Sequence, residues 1–106
     1  MKAYTDIEQS KKLAEILPIE SADMRYSPLG DNLHPWIWTD TFLEKDAVPC
    51  WSLAALLDVI PAGTVLLHDI NGLGYKCIKA VDTNWHNNPV DACVEMIFRL
   101  HKHKML

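Results

Sequence analysis

Val48-Pro49-Cys50-Trp51-Ser52-Leu53-Ala54-Ala55-Leu56-Leu57-Asp58-Val59-Ile60-Pro61 holds a start signal, an apolar stripe and a stop signal in one short stretch. Ser52 stands ahead of the stripe and offers its hydroxyl to a free backbone N–H of a first helical turn. Leu53, Leu56, Leu57 and Ile60 recur at i, i+3, i+4 and i+7, the spacing of one buried helical face. Pro61 has no N–H to donate and disfavours helical backbone at Ile60, so the helix is predicted to end there. Pro49, Cys50 and Trp51 read as a packed entry to this helix, which forms the centre of the expected fold.

Upstream, Thr5-Asp6-Ile7-Glu8 fits a capping box with Thr5 as the cap. It predicts a first helix that turns Ile7, Leu13, Ala14 and Leu17 towards one side and stops at Pro18. Met24-Arg25-Tyr26 suits a short strand with Met24 and Tyr26 facing inward, and residues 27–32 are a cluster of turn formers. Trp36-Ile37-Trp38-Thr39 has the aromatic and β-branched content of a strand with both tryptophans on one face. Phe42 and Leu43 are expected to return to the core, and residues 44–46 form a solvated bend.

Downstream, residues 64–68 and 75–81 read as the two strands of a hairpin around Asn71-Gly72, a pair that tolerates positive φ. Both faces carry apolar residues, so the pattern leaves open which one is buried. Asn88-Pro89-Val90-Asp91 then supplies an N-cap, a proline at the first helical position and a first-turn carboxylate. Val90, Cys93, Val94, Ile97 and Leu100 form the stripe of a last helix, with Glu95 and Arg99 paired outside and a basic end from Arg99 to Lys104. The expected fold is α+β, with three helices packed on a small, mainly antiparallel sheet that contains the hairpin 64–81. Residues 1–106 form a single domain.

The totals restrict the function classes. A chain of 106 residues buries roughly two-thirds of its unfolded surface without disulfide or metal staples. A net charge of −4 gives no basic field for non-specific nucleic-acid binding. No apolar run approaches the roughly 20 residues that span a bilayer, and the first residues lack the apolar core of a secretion signal, so no membrane association is expected. Cys50, Cys77 and Cys93 are an odd count with no CxxC pair, which suits reduced thiols and a cytoplasmic chain.

No motif names a reaction. His101 and His103 are two apart and point away from each other on a helix, and no other ligand stands at a metal-binding spacing. A basic surface accounts for them, so neither a metal nor a cofactor is expected. Cys50 lies just ahead of a helix, where a thiol pKa falls, but no activating base stands beside it. Asp69, Asp82 and Asp91 are explained by turn and cap chemistry. GxxxxGK[ST], GxGxxG and HExxH patterns are absent from the sequence. Tryptophan and tyrosine are over-represented at protein interfaces, which makes Trp36, Trp38, Trp85 and Tyr75 the candidate interaction surface.

Three separated blocks also carry a resemblance. Ser21-Ala22-Asp23-Met24, the Val48-Pro49-Cys50-Trp51-Ser52-Leu53 block with Ala55-Leu56-Leu57 and Pro61, and Asn88-Pro89-Val90-Asp91-Ala92-Cys93 with Glu95-Met96-Ile97 resemble a group of small uncharacterised proteins encoded in prophage-like and mobile elements of gut Bacteroides-type bacteria. The resemblance implies a genomic context and cytoplasmic residence and assigns no activity. The leading expectation is a non-enzymatic accessory protein that acts through a protein partner or as a homodimer. The alternative is a small-ligand-binding protein or minor enzyme whose cleft gathers Trp36, Trp38, His34 and His86. A weaker one is nucleic-acid binding through the basic carboxy-terminal turn, which predicts an affinity that falls with salt.

Overall fold

The structure, a computed structural model, describes residues 1–27, 35–37, 47–79 and 81–106. The order along the chain is α1 (Ile7–Ala14), a 3-10 turn (Ile19–Ser21), β1 (Met24–Tyr26), β2 (Trp36–Ile37), β3 (Val48–Cys50), α2 (Leu53–Val59), β4 (Val65–Asp69), β5 (Gly74–Ile78) and α3 (Pro89–Lys102). The α+β class holds, and every strand pairing is antiparallel. The strands lie in two sheets rather than one: β2-β1-β3, and the separate hairpin β4-β5.

The central helix starts and stops as its sequence dictates. Ser52 caps it by accepting from the N–H of Ala55, and Ile60 already has extended backbone ahead of Pro61. Its buried face is narrower than the four-residue stripe. Leu56 and Ile60 are buried and Leu53 packs partly against the core, but Leu57 is 45% exposed. α2 has two turns only and packs on α3 and on the 3-10 turn, which leaves Leu57 largely uncovered.

Val48 to Cys50, expected as a helix entry, forms strand β3. Pro49 is tolerated there because β3 stands at the end of the β2-β1-β3 order, where one row of backbone groups has no strand to serve. Beyond β3 the chain's first residues take over: Tyr4 bridges to Ser52, and Leu53 N donates to Ala3 O.

The first helix begins one residue later than its sequence signal suggests. Asp6, not Thr5, is the N-cap, and its capping box closes with Gln9. Thr5 is fully buried and bonds instead to Trp51 and Ser10, so its hydroxyl is engaged elsewhere. The buried face of α1 is Ser10 and Leu13 with Leu17 beyond the helix end, while Ala14 is exposed and Ile7 half-buried. In β1, Tyr26 and also Arg25 are buried and Met24 is intermediate, so the strict alternation expected for this strand is lost between two neighbouring strands.

The hairpin turn is a four-residue loop at positions 70–73 with Asn71-Gly72 in its middle, shorter than the six residues left between the expected strands. The Asp69 carboxylate closes it by accepting from the N–H groups of Asn71 and Leu73, and only Gly72 takes positive φ, +88°. The open question of the buried face is settled by the register. Cys77 is fully buried with Leu66 opposite it, and Tyr75 packs on the same side, so Val65, Leu67 and Ile78 belong to the outer face. The stretch from 82 to 88 lines the other edge of β5: Thr83 is buried and exchanges hydrogen bonds with Cys77, and His86 pairs with Tyr75.

Helix α3 keeps its predicted cap, with Asn88 accepting from Asp91 N and Pro89 at the first position. Val90, Cys93, Val94, Ile97 and Leu100 are all buried, and so are Ala92 and Met96, because this helix packs on both β5 and α2. Among the described residues no helix is long and apolar enough to cross a membrane. Phe42, Leu43, the 44–46 bend, Trp38 and His34, together with the ring of Trp36, lie outside the described residues.

Leu56 has no exposed surface, so Leu56→Ala is expected to destabilise the fold by about 2–5 kcal/mol, whereas Leu57→Ala costs well under half of that. Urea unfolding of the two variants checks the pair.

Candidate functional site

An open groove of about 630 Å³ runs along the outer side of α3. Its floor is the stripe Asp91, Val94, Glu95, Phe98, Arg99 and Lys102, which recurs with helical spacing, and Gln9, His86 and His103 complete the lining. The volume is within the range of small-molecule sites.

Glu95 is the hub of this groove. It accepts from Asn84 N at 2.9 Å, from His86 Nε2 at 2.7 Å and, through its second oxygen, from Arg99 Nε one turn further on. With a carboxylate against it, Nε2 carries the imidazole proton. His86 reaches this position because its backbone is held as a strand against Tyr75, donating to Tyr75 O at 2.7 Å and accepting from Tyr75 N at 2.6 Å. That approach requires glycine at position 74, since a Cβ there would stand 2.0 Å from the His86 carbonyl oxygen.

The other end of the groove is organised by Asp91, which accepts from Lys2 Nζ and Gln9 Nε2, both at 2.8 Å, and from Asn88 Nδ2 at 2.9 Å. Lys2 also reaches Asp6 at 3.0 Å, so this cluster joins the first residues and α1 to the start of α3. Burial works against ionisation of Asp91 and of Glu95, yet the donors around each outweigh it and hold both carboxyls below their ordinary range.

The chemistry open to this arrangement is limited. No serine, threonine or cysteine is among the lining residues, and Glu95, committed to three donors with its pKa held down, is a poor general base. Phe98 and Val94 offer apolar surface beside the cationic Lys102 and the His103 ring.

The residues expected to form an interaction surface are only partly brought together. Tyr75 and Trp85 line one shallow hollow at the tip of the hairpin, together with His68 and His86. Tyr75 stacks on His68 with centroids 4.2 Å apart, and Lys76 Nζ lies 4.9 Å from the Trp85 ring centroid. The backbone of Trp36 belongs to β2 in the other sheet, and the cleft of Trp36, Trp38, His34 and His86 cannot be assembled from the described residues. Instead His86 joins Glu95 and Arg99, a set that the i, i+4 spacing of Glu95 and Arg99 signals only in part. Among the described residues no three His, Cys, Asp or Glu side chains gather as a metal requires. Cys50 is fully buried, donates to Thr5 O at 3.4 Å, and burial pushes its thiol pKa up, which fits a packed residue at the entry to α2. No protein-family model, curated protein or solved structure matches this chain.

The pH dependence follows from Glu95. Its folded pKa lies below the ordinary 4.5, so its contribution to stability is fully present above that value and is lost as pH falls through the folded pKa. Wild type is therefore expected to be more stable than Glu95→Gln at neutral pH, with the difference shrinking on acidification below about pH 4.5 in chemical unfolding series.

Proposed function

We propose that this chain is a non-enzymatic accessory protein that acts by binding protein, and that its first partner is a second copy of itself joined along β4. The observation that supports this reading is the outer face of the hairpin. Val65 and Leu67 are 49% and 38% exposed on the edge strand of a two-stranded sheet, beside half-buried Ile78. Ile70 and Leu73 extend the apolar surface at the turn. Edge strands present a row of backbone donors and acceptors that another strand satisfies, and an antiparallel pairing of β4 with its own copy does so with two-fold symmetry and sets the Val65 and Leu67 side chains of the two copies next to one another.

The commitment of the groove's polar groups to structural hydrogen bonds supports a binding role over catalysis. Cytoplasmic residence is part of the proposal and rests on three free cysteines. Assignment to a mobile element rests on the three sequence blocks of the motif resemblance.

A second reading is favoured by one observation, the apolar Val94 and Phe98 beside Lys102 and His103 in the α3 groove. This arrangement suits a small ligand with an apolar body and a carboxylate. Titration with benzoate and octanoate, followed by the amide resonances of α3, is expected to give saturable shifts that Phe98→Ala and Lys102→Glu weaken at least several-fold. Shifts that do not saturate remove this reading.

Light scattering coupled to size exclusion tests the leading proposal. A particle of twice the 12.1 kDa chain mass is expected, and Leu67→Lys should return it to the monomer without loss of circular dichroism signal. A monomer at every concentration overturns self-pairing.

A further inference from the structure

We propose that Cys77 and Cys93 are a latent redox pair, closed by a small peroxide into a disulfide that straps the hairpin to α3. Their sulfurs lie 4.0 Å apart, one on the inner face of β5 and the other on the buried stripe of α3, and both side chains are fully buried. A disulfide needs the sulfurs at about 2.05 Å, so closure asks each side chain to give about 1 Å through side-chain rotation. The bond would bridge the element pair β5 and α3, which is already in close contact, and would close the 16-residue separation between the two positions.

The spacing of the three cysteines carries no sign of this pairing. It arises because the register puts Cys77 on the inner face of the hairpin, opposite Leu66, and because Cys93 falls on the side of α3 that meets β5. Cys50 is the internal comparison. It is equally buried, but its sulfur lies against Thr5 in the other sheet, and no cysteine contact is seen for it.

The chemistry balances with a peroxide as the named oxidant. One thiolate attacks a peroxide oxygen, the O–O bond breaks, and a sulfenic acid forms as water or an alcohol leaves. The second sulfur then attacks the sulfenic sulfur, the S–O bond breaks, and its hydroxide leaves as water with the second thiol's proton. Two thiols are oxidised by two electrons and one peroxide is reduced. Burial raises the cost of ionising either thiol, and the 4.0 Å contact lets the S–H of one stabilise the thiolate of the other, so either sulfur can attack and its neighbour resolves. Access comes from local opening of the hairpin, whose two strands stand in a sheet of their own with an exposed outer face, and a peroxide is small enough to enter without global unfolding.

The test is hydrogen peroxide on the native chain, an alkylating quench, and intact-mass analysis with peptide mapping. A mass loss of about 2 Da is expected, with one thiol left to alkylate, a Cys77–Cys93 linked peptide, and full reversal by a dithiol reductant. Cys50→Ser should still form the bond, and Cys77→Ser or Cys93→Ser should stop at a sulfenic acid that a dimedone probe captures on the remaining sulfur of the pair. Three results overturn the proposal: a bond that involves Cys50 or joins two chains, a Cys77–Cys93 bond that appears only in denaturant, or three alkylatable thiols after peroxide treatment. The wild-type mass and peptide map together decide between these outcomes if a variant fails to fold.

Discussion

Thr5 and Trp51 hold each other through two hydrogen bonds, and much of the first half of the molecule is built on that tie. Thr5 N donates to Trp51 O at 2.9 Å, and Trp51 N donates to Thr5 Oγ1 at 3.1 Å. The pair brings the chain's first residues to the point where β3 becomes α2. It also satisfies buried polar groups that would be costly to leave alone. Around it, Tyr26 Oη donates to Thr5 O, the Thr5 and Ser10 hydroxyls meet, and Trp51 Nε1 donates to Ser21 Oγ. Asp23 closes the circle by accepting from both the N–H and the hydroxyl of Ser52. α1, β1, β3 and α2 thus share one junction, and the fully buried Trp51 ring gives it an apolar centre.

A second tie organises the rest. β5 is served on one side by β4 and on the other by the 82–88 segment, through Thr83 and His86. Because His86 is fixed there, its ring meets Glu95 and shapes one wall of the groove on α3. Because β4 lies on the far side of β5, its outer face is left to solvent. The groove and the exposed strand are therefore two consequences of how the hairpin is anchored.

This division bears on function. The ionisable side chains that gather, Lys2 with Asp6 and Asp91, and His86 with Glu95 and Arg99, are each spent on joining distant parts of the chain. Such contacts fix the His86 ring beside α3 and the first residues beside its start. The apolar surface on the edge strand has no comparable structural duty, and it is the surface that the proposed self-pairing uses.

Much of the local structure could be read from neighbouring residues. Ser52 and Asn88 as caps, Pro61 as a stop, the stripe of α3 and the existence of the hairpin all rest on interactions within a few positions, where sequence spacing and spatial spacing are the same thing. Tertiary contacts decided the remainder. Thr5 left its expected capping place to Asp6 because Trp51 and Ser10 claimed its hydroxyl, and Val48 to Cys50 became a strand because β1 lay alongside. Leu57 stayed exposed because the packing of α2 on α3 and the 3-10 turn does not cover it. The meeting of His86 with Glu95, and of Cys77 with Cys93, depends on hairpin register and helix rotation together, quantities that no spacing along the chain encodes. By itself the sequence determined the caps of the last two helices and the stop at Pro61; which faces meet, and so where a site can exist, was decided only when those elements packed.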